Sequence, residues 1–347
     1  MLKILDLFCG CGGLSLGFKK AKYKIEIGID INESYLQTFS HNFPESKTLK
    51  ADLSNGSFLK KISYTDIMVA GPPCQGFSIT GPRQIEDSRN KLYLAVFKAL
   101  KLLKPKAFLI ENVRGLMSMW NGKVFEEILK KFENEGYNIS HKLINSADYG
   151  VPQIRHRIFI IGIKKKINRA YAFPREEFSK NDYLSCEEAI GDLPDLENEQ
   201  GKEEMSYAPK PKTNYQKYVM DSNFLYNHVA TRHKDFVKKV IAKVPEGGNY
   251  KDLPKGVGGS RTFHEAWTRY HSKKPSRTID TGHRNHFHYK WNRIPTIREN
   301  ARLQSFKDSF RFFGNRTSQN FQVGNAVPPL LAYKLALKLK EILGEKN

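Results

Sequence analysis

The amino-acid sequence predicts an α/β fold with a mostly parallel sheet, followed by a smaller and more irregular second domain. Apolar runs of strand length alternate with amphipathic runs of helical length through the first half of the chain. Such alternation is typical of a parallel sheet that helices cover on both faces. The 347 residues are enough for two domains, and the two halves of the chain differ sharply in charge.

Seven strands are predicted, with helices between the early ones. The expected strands are 3–8, 25–31, 47–51, 66–71, 107–113, 139–145 and 157–163, and the expected helices are 12–21, 32–42, 88–104 and 121–136. Lys104-Pro105 ends the third helix, since proline cannot continue a helix. The stretch between the last two strands contains Gly150 and Pro152 and is too short for a helical crossover. These two strands are therefore expected to pair antiparallel.

Charge divides the chain into three parts. Residues 1–160 carry 23 Lys and Arg against 15 Asp and Glu, whereas residues 211–320 carry 22 against eight. Between them, residues 182–204 hold nine acidic side chains and a single lysine, which we interpret as a solvated connector. The formal net charge of +21 is typical of a protein that binds a polyanion, most often nucleic acid.

Composition excludes several classes of protein. A hydrophobic content of 39% argues against wholesale disorder, and four cysteines are too few for a disulfide scaffold of this length. No apolar run approaches the ~20 residues that a membrane span requires. We therefore expect a folded cytoplasmic protein with reduced cysteines, and we expect it to be a monomer.

The carboxyl ends of the first three strands suit a nucleotide-like ligand. Strand one leads into residues 8–13 (FCGCGG), where glycines permit a tight turn and a close approach of a ligand to backbone amides. Asp30 ends strand two, where a carboxylate can accept hydrogen bonds from ribose hydroxyls. Asp52 follows strand three and could meet an adenine amine. Together these residues fit an adenosine-containing ligand, although each aspartate could instead cap a helix.

Reactive side chains are expected at the ends of the later strands. Strand four leads into residues 71–78 (GPPCQGFS), where two prolines fix the backbone before Cys74. A single cysteine is more often inert and buried, but this setting favours a nucleophile. Strand five contains Glu111 near its end, which would lie beside Cys74 if the two strands are neighbours. Arg155 and Arg157 alternate along the last strand and should share one face.

In order, and along nearly the whole chain, these motifs resemble those of DNA (cytosine-5)-methyltransferases of bacterial restriction–modification type. The nucleophile, acid and arginine motifs match residues 72–75, 111–113 and 153–157, and the last two conserved blocks of the family match 298–306 and 324–329. Two departures are Asp30, where many members have Glu, and Ser305, where Gly is common. The resemblance implies a Rossmann-like methyltransferase sheet that binds S-adenosyl-L-methionine and releases S-adenosyl-L-homocysteine. The cofactor-binding residues it implies are Phe8, Gly10, Gly12, Asp30, Asp52, Pro72 and Asn325.

The resemblance also implies the catalytic roles. Cys74 would attack carbon 6 of cytosine, and Glu111 would donate or share a proton at ring nitrogen 3. Arg157 would bind the cytosine carbonyl and orient Glu111, and Arg155 would support the ring or a nearby phosphate. Because these groups cannot reach a base inside a duplex, the cytosine must be flipped out.

The family's organisation implies a catalytic domain of residues 1–180 and 322–347 and a DNA-recognition domain of residues 181–321. A final helix over 328–343 would return to complete the catalytic domain, and the loop 75–91 resembles the family's mobile catalytic loop. The residues expected to contact double-stranded DNA are Gln75, Thr80, Arg83, Arg89, Arg232, Arg261, Arg269 and Arg284.

Other readings compete with this one. An RNA (tRNA) cytosine-5-methyltransferase of the same fold typically has Thr where this chain has Ser78, and a shorter variable region. An amino-directed methyltransferase would carry an aromatic residue in place of Cys74. A catalytically silent DNA-binding homologue would lack Cys74, Glu111 or Arg157. The histidines in residues 283–288 lack the paired CxxC spacing of structural zinc, so no metal is expected.

Overall fold

The computed structural model describes residues 1–62, 64–73, 91–197, 199–208, 210–254, 256–257, 266–282 and 285–344. The chain divides into two units. The first unit contains Met1–Asn145, His156–Glu176 and Leu331–Asn347, and the second contains Ser146–Arg155 and Glu177–Leu330. Compared with the boundaries predicted from the sequence, residues 146–155, 177–180 and 322–330 group with the second unit.

A seven-stranded sheet forms the centre of the first unit. Its strands are β1 Lys3–Leu7, β2 Lys24–Asp30, β3 Lys47–Lys50, β4 Ile67–Ala70, β5 Ala107–Val113, β6 Tyr137–Asn145 and β7 His156–Lys164. They lie in the order β3-β2-β1-β4-β5-β7-β6. Strands β1 to β5 pair parallel with their neighbours, whereas β7 runs antiparallel to both β5 and β6. The predicted mostly parallel sheet with one antiparallel strand is therefore confirmed.

Helices connect the parallel strands, as the sequence predicts. They are α1 Gly13–Lys20, α2 Glu33–Asn42, α3 Lys91–Leu103 and α4 Lys123–Asn134. Buried Val124, Ile128 and Phe132 recur along α4 at the spacing of one helical face, which explains why this segment forms a helix that packs on one side. Within the described parts of the chain, we find no helix that is both long enough and apolar enough to cross a membrane.

The last helix, α10 Pro329–Ile342, confirms the predicted helix at 328–343 and joins the first unit from Leu331 onward. It packs against α1 so closely that a Cβ atom on Gly17 would lie 2.4 Å from the Cβ atom of Ala332. The Tyr23 hydroxyl donates a hydrogen bond of 3.0 Å to the carbonyl of Ala336. These contacts hold the end of the chain against the start of the sheet.

The second unit is built from short elements. Its helices are α5 Cys186–Ile190, α6 Asn214–Val219, α7 Asp235–Ala242, α8 Ile297–Leu303 and α9 Arg316–Asn325, and its strands are β8 Gly201–Ser206, β9 Phe224–Val229, β10 Thr268–Arg269 and β11 His286–Phe287. Strands β8 and β9 pair antiparallel, and β10 and β11 pair parallel. Ionic contacts reinforce this irregular unit, because buried Arg302 contacts the carboxylates of both Asp192 and Asp308.

Candidate active site

The turn after β1 adopts a backbone that suits close approach of a ligand. Phe8, Gly10 and Gly12 have φ angles of 59°, 54° and 97°, in the left-handed region that glycine enters without a steric penalty. A Cβ atom on Gly10 would meet no heavy atom within 4 Å. The turn therefore leaves room beside its backbone, as a cofactor-binding loop requires.

Asp30 ties the ends of β1 and β2 together. Its carboxylate accepts a hydrogen bond of 3.0 Å from the Gly10 amide and one of 2.9 Å from the Asn32 amide. Asn32, rather than Asp30, is the N-cap of α2, so the helix-cap alternative does not apply to Asp30. Burial raises the pKa of this carboxyl, although the backbone hydrogen bonds oppose that effect. Each carboxylate oxygen retains lone-pair capacity for a further donor, such as a hydroxyl.

Asp52 matches the helix-cap alternative. Its Oδ1 accepts a hydrogen bond of 2.8 Å from the Ser54 amide and caps the short 3₁₀ turn Leu53–Asn55. The residue is exposed. An exposed capping carboxylate still has acceptor capacity for a ligand.

The ends of β4 and β5 meet, because these two strands are neighbours in the sheet. The Oε2 atom of Glu111 lies 3.8 Å from the position of a Cβ on Gly71. The Asn112 side chain donates a hydrogen bond of 3.0 Å to the Pro72 carbonyl. Glu111 therefore lies beside Gly71-Pro72-Pro73, the segment that precedes Cys74 in the sequence. Cys74 itself lies outside the described residues.

Glu111 also contacts Arg157. Arg157 on β7 pairs with Val113 on β5, two residues from Glu111, which places both side chains on the same face of the sheet. The Arg157 Nε atom lies 3.1 Å from Oε1 of the buried Glu111. Arg157 also donates a hydrogen bond of 2.8 Å from Nη1 to the carbonyl of His156. This geometry presents a carboxyl group and a permanent cation together where β5 ends and β7 begins.

Three of the four cysteines are unsuited to nucleophilic chemistry. Cys9, Cys11 and Cys186 are buried and not disulfide-bonded. Burial raises the pKa of each thiol, which keeps it protonated. Since the thiolate is the reactive form, Cys74 is the remaining candidate nucleophile.

Four of the predicted site residues are described within the second unit: Arg155, Arg232, Arg269 and Asn325. Arg155 precedes β7, its side chain is buried, and its carbonyl accepts a hydrogen bond of 2.9 Å from the Ser146 amide. Asn325 ends α9 and is exposed, and Arg232 is exposed. The other predicted DNA contacts, Gln75, Thr80, Arg83, Arg89, Arg261 and Arg284, fall outside the described residues.

The prediction that Arg269 contacts DNA is corrected. Its side chain is buried at 5% exposure. The guanidinium donates to the carbonyls of Val244, Ile241 and His288 at 2.8, 2.6 and 3.1 Å. A side chain committed to so many backbone acceptors holds loops of its own unit together and does not reach a partner. The aromatic and basic composition around it gave no signal of this burial.

Sequence reasoning also missed Asp6, a buried carboxyl group in the strand that leads into the Phe8–Gly12 turn. Asp6 lies inside β1, where burial raises its pKa to about 7, and it accepts a hydrogen bond of 2.6 Å from the Ser15 hydroxyl. In the second unit, Ser305 has a φ of 67°, in the left-handed region that favours glycine. This backbone conformation explains why many members of the family have glycine at this position. The Ser305 hydroxyl accepts a hydrogen bond of 3.0 Å from the Leu330 amide, so the serine is accommodated.

The histidines weighed as metal ligands are occupied by protein contacts where the structure describes them. Nδ1 of His288 accepts hydrogen bonds from the amides of Lys290 and Trp291, at 3.0 and 3.2 Å. The His286 ring packs against Tyr270 with 5.3 Å between the ring centroids. Within the described ranges, no group of three or more His, Cys, Asp or Glu side chains could hold a metal ion.

The arrangement at the strand ends agrees with comparison to known proteins. The sequence profile of the family described as C-5 cytosine-specific DNA methylase matches residues 2–341. The chain belongs to this family, and it is a DNA cytosine-5-methyltransferase. The sequence motifs and the family match thus identify one enzyme class.

Individual relatives are similar along nearly the whole chain. The Type II methyltransferase M.DdeI of Desulfomicrobium norvegicum is 37% identical, covering 97% of this chain and 88% of the relative. The Type II methyltransferase M1.HphI of Haemophilus parahaemolyticus is also 37% identical, covering 96% and 86%. Among solved structures, a prophage-encoded DNA modification methyltransferase from E. coli is similar with a TM-score of 0.81 and 27% identity, covering 99% of this chain and 100% of the other.

Proposed function

We propose that this enzyme transfers a methyl group from S-adenosyl-L-methionine to carbon 5 of a flipped-out cytosine in a short, specific sequence of double-stranded DNA. We further propose that it is the modification enzyme of a restriction–modification system. The Glu111–Arg157 pair beside Gly71-Pro72-Pro73 is the observation that carries the proposal, because it sets a carboxyl group and a cation beside the segment that precedes Cys74 in the sequence. The relatives named Type II methyltransferases support the second part.

The first unit offers a binding surface for the cofactor. Phe8, Gly10 and Gly12 would present backbone to it, and Asp30 would accept hydrogen bonds from its ribose. Open space beside Gly10 and the position of Asp30 next to that turn support this assignment. When bound, S-adenosyl-L-methionine supplies the methyl group. The family resemblance implies that three further residues would contact the cofactor: Asp52, Pro72 and Asn325.

The residues of the chain would prepare the cytosine for methylation. Carbon 5 is a poor nucleophile in the aromatic ring, so the Cys74 thiolate would first form a bond to carbon 6. The displaced electron pair would be accepted at ring nitrogen 3, which Glu111 would protonate. Arg157 would hold the cytosine carbonyl and fix the orientation of Glu111, a role that the 3.1 Å contact supports. After methylation, the proton on nitrogen 3 would return to Glu111, and loss of the carbon-5 proton to a base would re-form the double bond between carbons 5 and 6 and release Cys74 as its thiolate.

The proposal is tested by expressing the protein in a host that lacks cytosine methylation and sequencing its DNA after bisulfite conversion. We expect 5-methylcytosine at one position of a single short sequence, at nearly every copy of that sequence. Methylation only of tRNA would favour the RNA alternative, and unmethylated DNA together with retained DNA binding would favour the silent homologue. Protection of that sequence from cleavage by a restriction enzyme would establish the modification role.

A further inference from the structure

The second unit contains a cavity that is lined by side chains of both charges. Its volume is about 300 Å³. Its lining includes the carboxylates of Glu197 and Glu199 and the side chains of Arg232, His233 and Lys238. The two glutamates belong to the acidic 182–204 connector, which the proposed chemistry does not use.

Four of the charged groups that line this cavity make no ion pair in the described part of the chain. Among the residues described, none of Glu197, Glu199, Arg232 and Lys238 forms an ion pair within 4.0 Å, and all four are exposed. By contrast, Arg293 at the cavity wall is neutralised by Glu299, with contacts of 2.8 and 2.7 Å. The two free cations are therefore available to an anion that enters the cavity.

His233 adds no charge to the cavity. Its Nε2 atom accepts a hydrogen bond of 3.3 Å from the Ile294 amide, which requires the neutral ring. Burial, with the nearby cations Lys238, Arg293 and Arg316, lowers the pKa of this histidine. Two exposed carboxylates thus oppose two exposed cations.

Cations that meet DNA phosphates supply affinity for any sequence, whereas contacts to bases supply selectivity. A carboxylate placed beside such cations weakens binding to DNA of every sequence. Contacts to the bases of the target site are unaffected, so the ratio of specific to non-specific affinity rises. We propose that Arg232 and Lys238 bind a phosphate of the DNA backbone at this cavity, and that Glu197 and Glu199 oppose it and so determine specificity. The proposal rests on the proposed function for its identification of DNA as the anion.

The direct test compares binding of the intact protein to a poly(dA)·poly(dT) duplex, which holds no cytosine and so no target. The variant Glu197→Gln/Glu199→Gln is matched to Glu126→Gln/Glu127→Gln, which makes the same charge change at exposed positions of α4 in the first unit. We expect the cavity variant to bind about tenfold more tightly at about 50 mM salt, with a smaller gain at about 200 mM. The α4 variant should change affinity by less than about twofold.

Coupling to the cations completes the test. Arg232→Gln/Lys238→Gln should lower the slope of log affinity against log salt by about one to two, and adding the two glutamine substitutions to it should give no further gain. An equal gain in the α4 variant, no gain in the cavity variant, or a gain that persists without the two cations would overturn the proposal. Methylation of plasmid DNA, measured on the same preparations, reports separately on the proposed function.

Discussion

The Nε atom of Arg157 lies 3.1 Å from Oε1 of Glu111, across the antiparallel pair formed by β5 and β7. Antiparallel pairing makes this contact possible, because it brings the start of β7 beside the end of β5. The carboxyl group is buried, and Asn112 next to it binds the carbonyl of Pro72. The ends of β4 and β5 and the start of β7 thus hold the acid, the cation and the backbone that precedes Cys74 close together.

Glu111→Gln should reduce methyl transfer on the order of 10²- to 10⁴-fold, because the amide cannot supply the proton that ring nitrogen 3 needs. Incorporation of labelled methyl groups into plasmid DNA measures the rate, and calorimetry measures cofactor affinity, which should change little. Glu126→Gln, the same substitution at an exposed site of the same unit, serves as the control. A Glu111→Gln enzyme with the wild-type rate would remove Glu111 from the mechanism.

Asp30→Asn should weaken binding of S-adenosyl-L-methionine about tenfold or more. An asparagine has one acceptor oxygen, so it cannot serve both the Gly10 and Asn32 amides and also meet a ribose hydroxyl. Isothermal calorimetry without DNA measures the dissociation constant. Asp235→Asn, exposed in the second unit, should leave it unchanged. Equal affinity in the wild-type and Asp30→Asn proteins would contradict the assigned role of Asp30.

Asp6→Asn should stabilise the protein increasingly as the pH rises. Burial raises the pKa of Asp6 to about 7 in the folded state. Between about pH 4 and 7 the folded protein therefore keeps this proton, whereas the unfolded chain releases it. The free energy of unfolding falls by about 1.4 kcal/mol per pH unit across this range as a result. Asparagine can still accept the hydrogen bond from Ser15 and avoids that cost. Urea unfolding across this range should show the stability gap between the variant and wild type opening with pH and becoming constant above about pH 7.

Asp66 provides the opposite sign as a control. Its pKa is lowered, with a backbone hydrogen bond from Lys3 and the neighbouring Lys106 outweighing the effect of burial. The stability that this carboxylate contributes is present above about pH 4 and lost as the pH falls. Asp66→Asn should therefore be less stable than wild type at neutral pH, with the difference shrinking in acid. The same sign of pH dependence for both variants would rule out the burial of Asp6 as the cause.

Arg302→Met should destabilise the second unit by about 3 to 5 kcal/mol, because it leaves two buried carboxylates without their cation. Arg302 contacts Asp192 at 2.5 Å and Asp308 at 2.6 Å. Lys307→Met removes a half-exposed lysine 3.8 Å from Asp221 and should cost less than about 1 kcal/mol. Denaturant unfolding measures both, and similar losses in the two variants would contradict the account.

Much of the first unit could be predicted from the sequence because its patterns are local. Alternating apolar runs predict β1 to β7, and the short connection between the last two predicts their antiparallel pairing. The contact between Glu111 and the end of β4 also followed, once those strands were assumed to be neighbours. Parallel sheets expose their chemistry at strand ends, which made Asp30 and Glu111 visible as candidates.

The second unit could not be predicted in the same way, because long-range contacts decide its structure. Arg269 and exposed Arg232 occur in equally basic sequence, yet distant carbonyls of residues 241, 244 and 288 bury only the first. The cavity likewise brings together Glu197 and Glu199 with Arg232 and Lys238, which no sequence period connects. The residue types predict DNA as the partner, whereas tertiary packing decides which basic side chains can reach it.

Covalent trapping tests the central claim most directly. DNA amplified with 5-fluoro-2′-deoxycytidine triphosphate carries fluorine at carbon 5 of every incorporated cytosine. Fluorine cannot leave as a cation, as the proton does. The bond between Cys74 and carbon 6 should therefore persist after methyl transfer. We expect a denaturation-resistant protein–DNA complex whose cross-linked peptide contains Cys74, and no such complex with Cys74→Ala. Methylation of ordinary plasmid DNA without any adduct on the fluorinated DNA, or an adduct that survives in Cys74→Ala, would contradict the account.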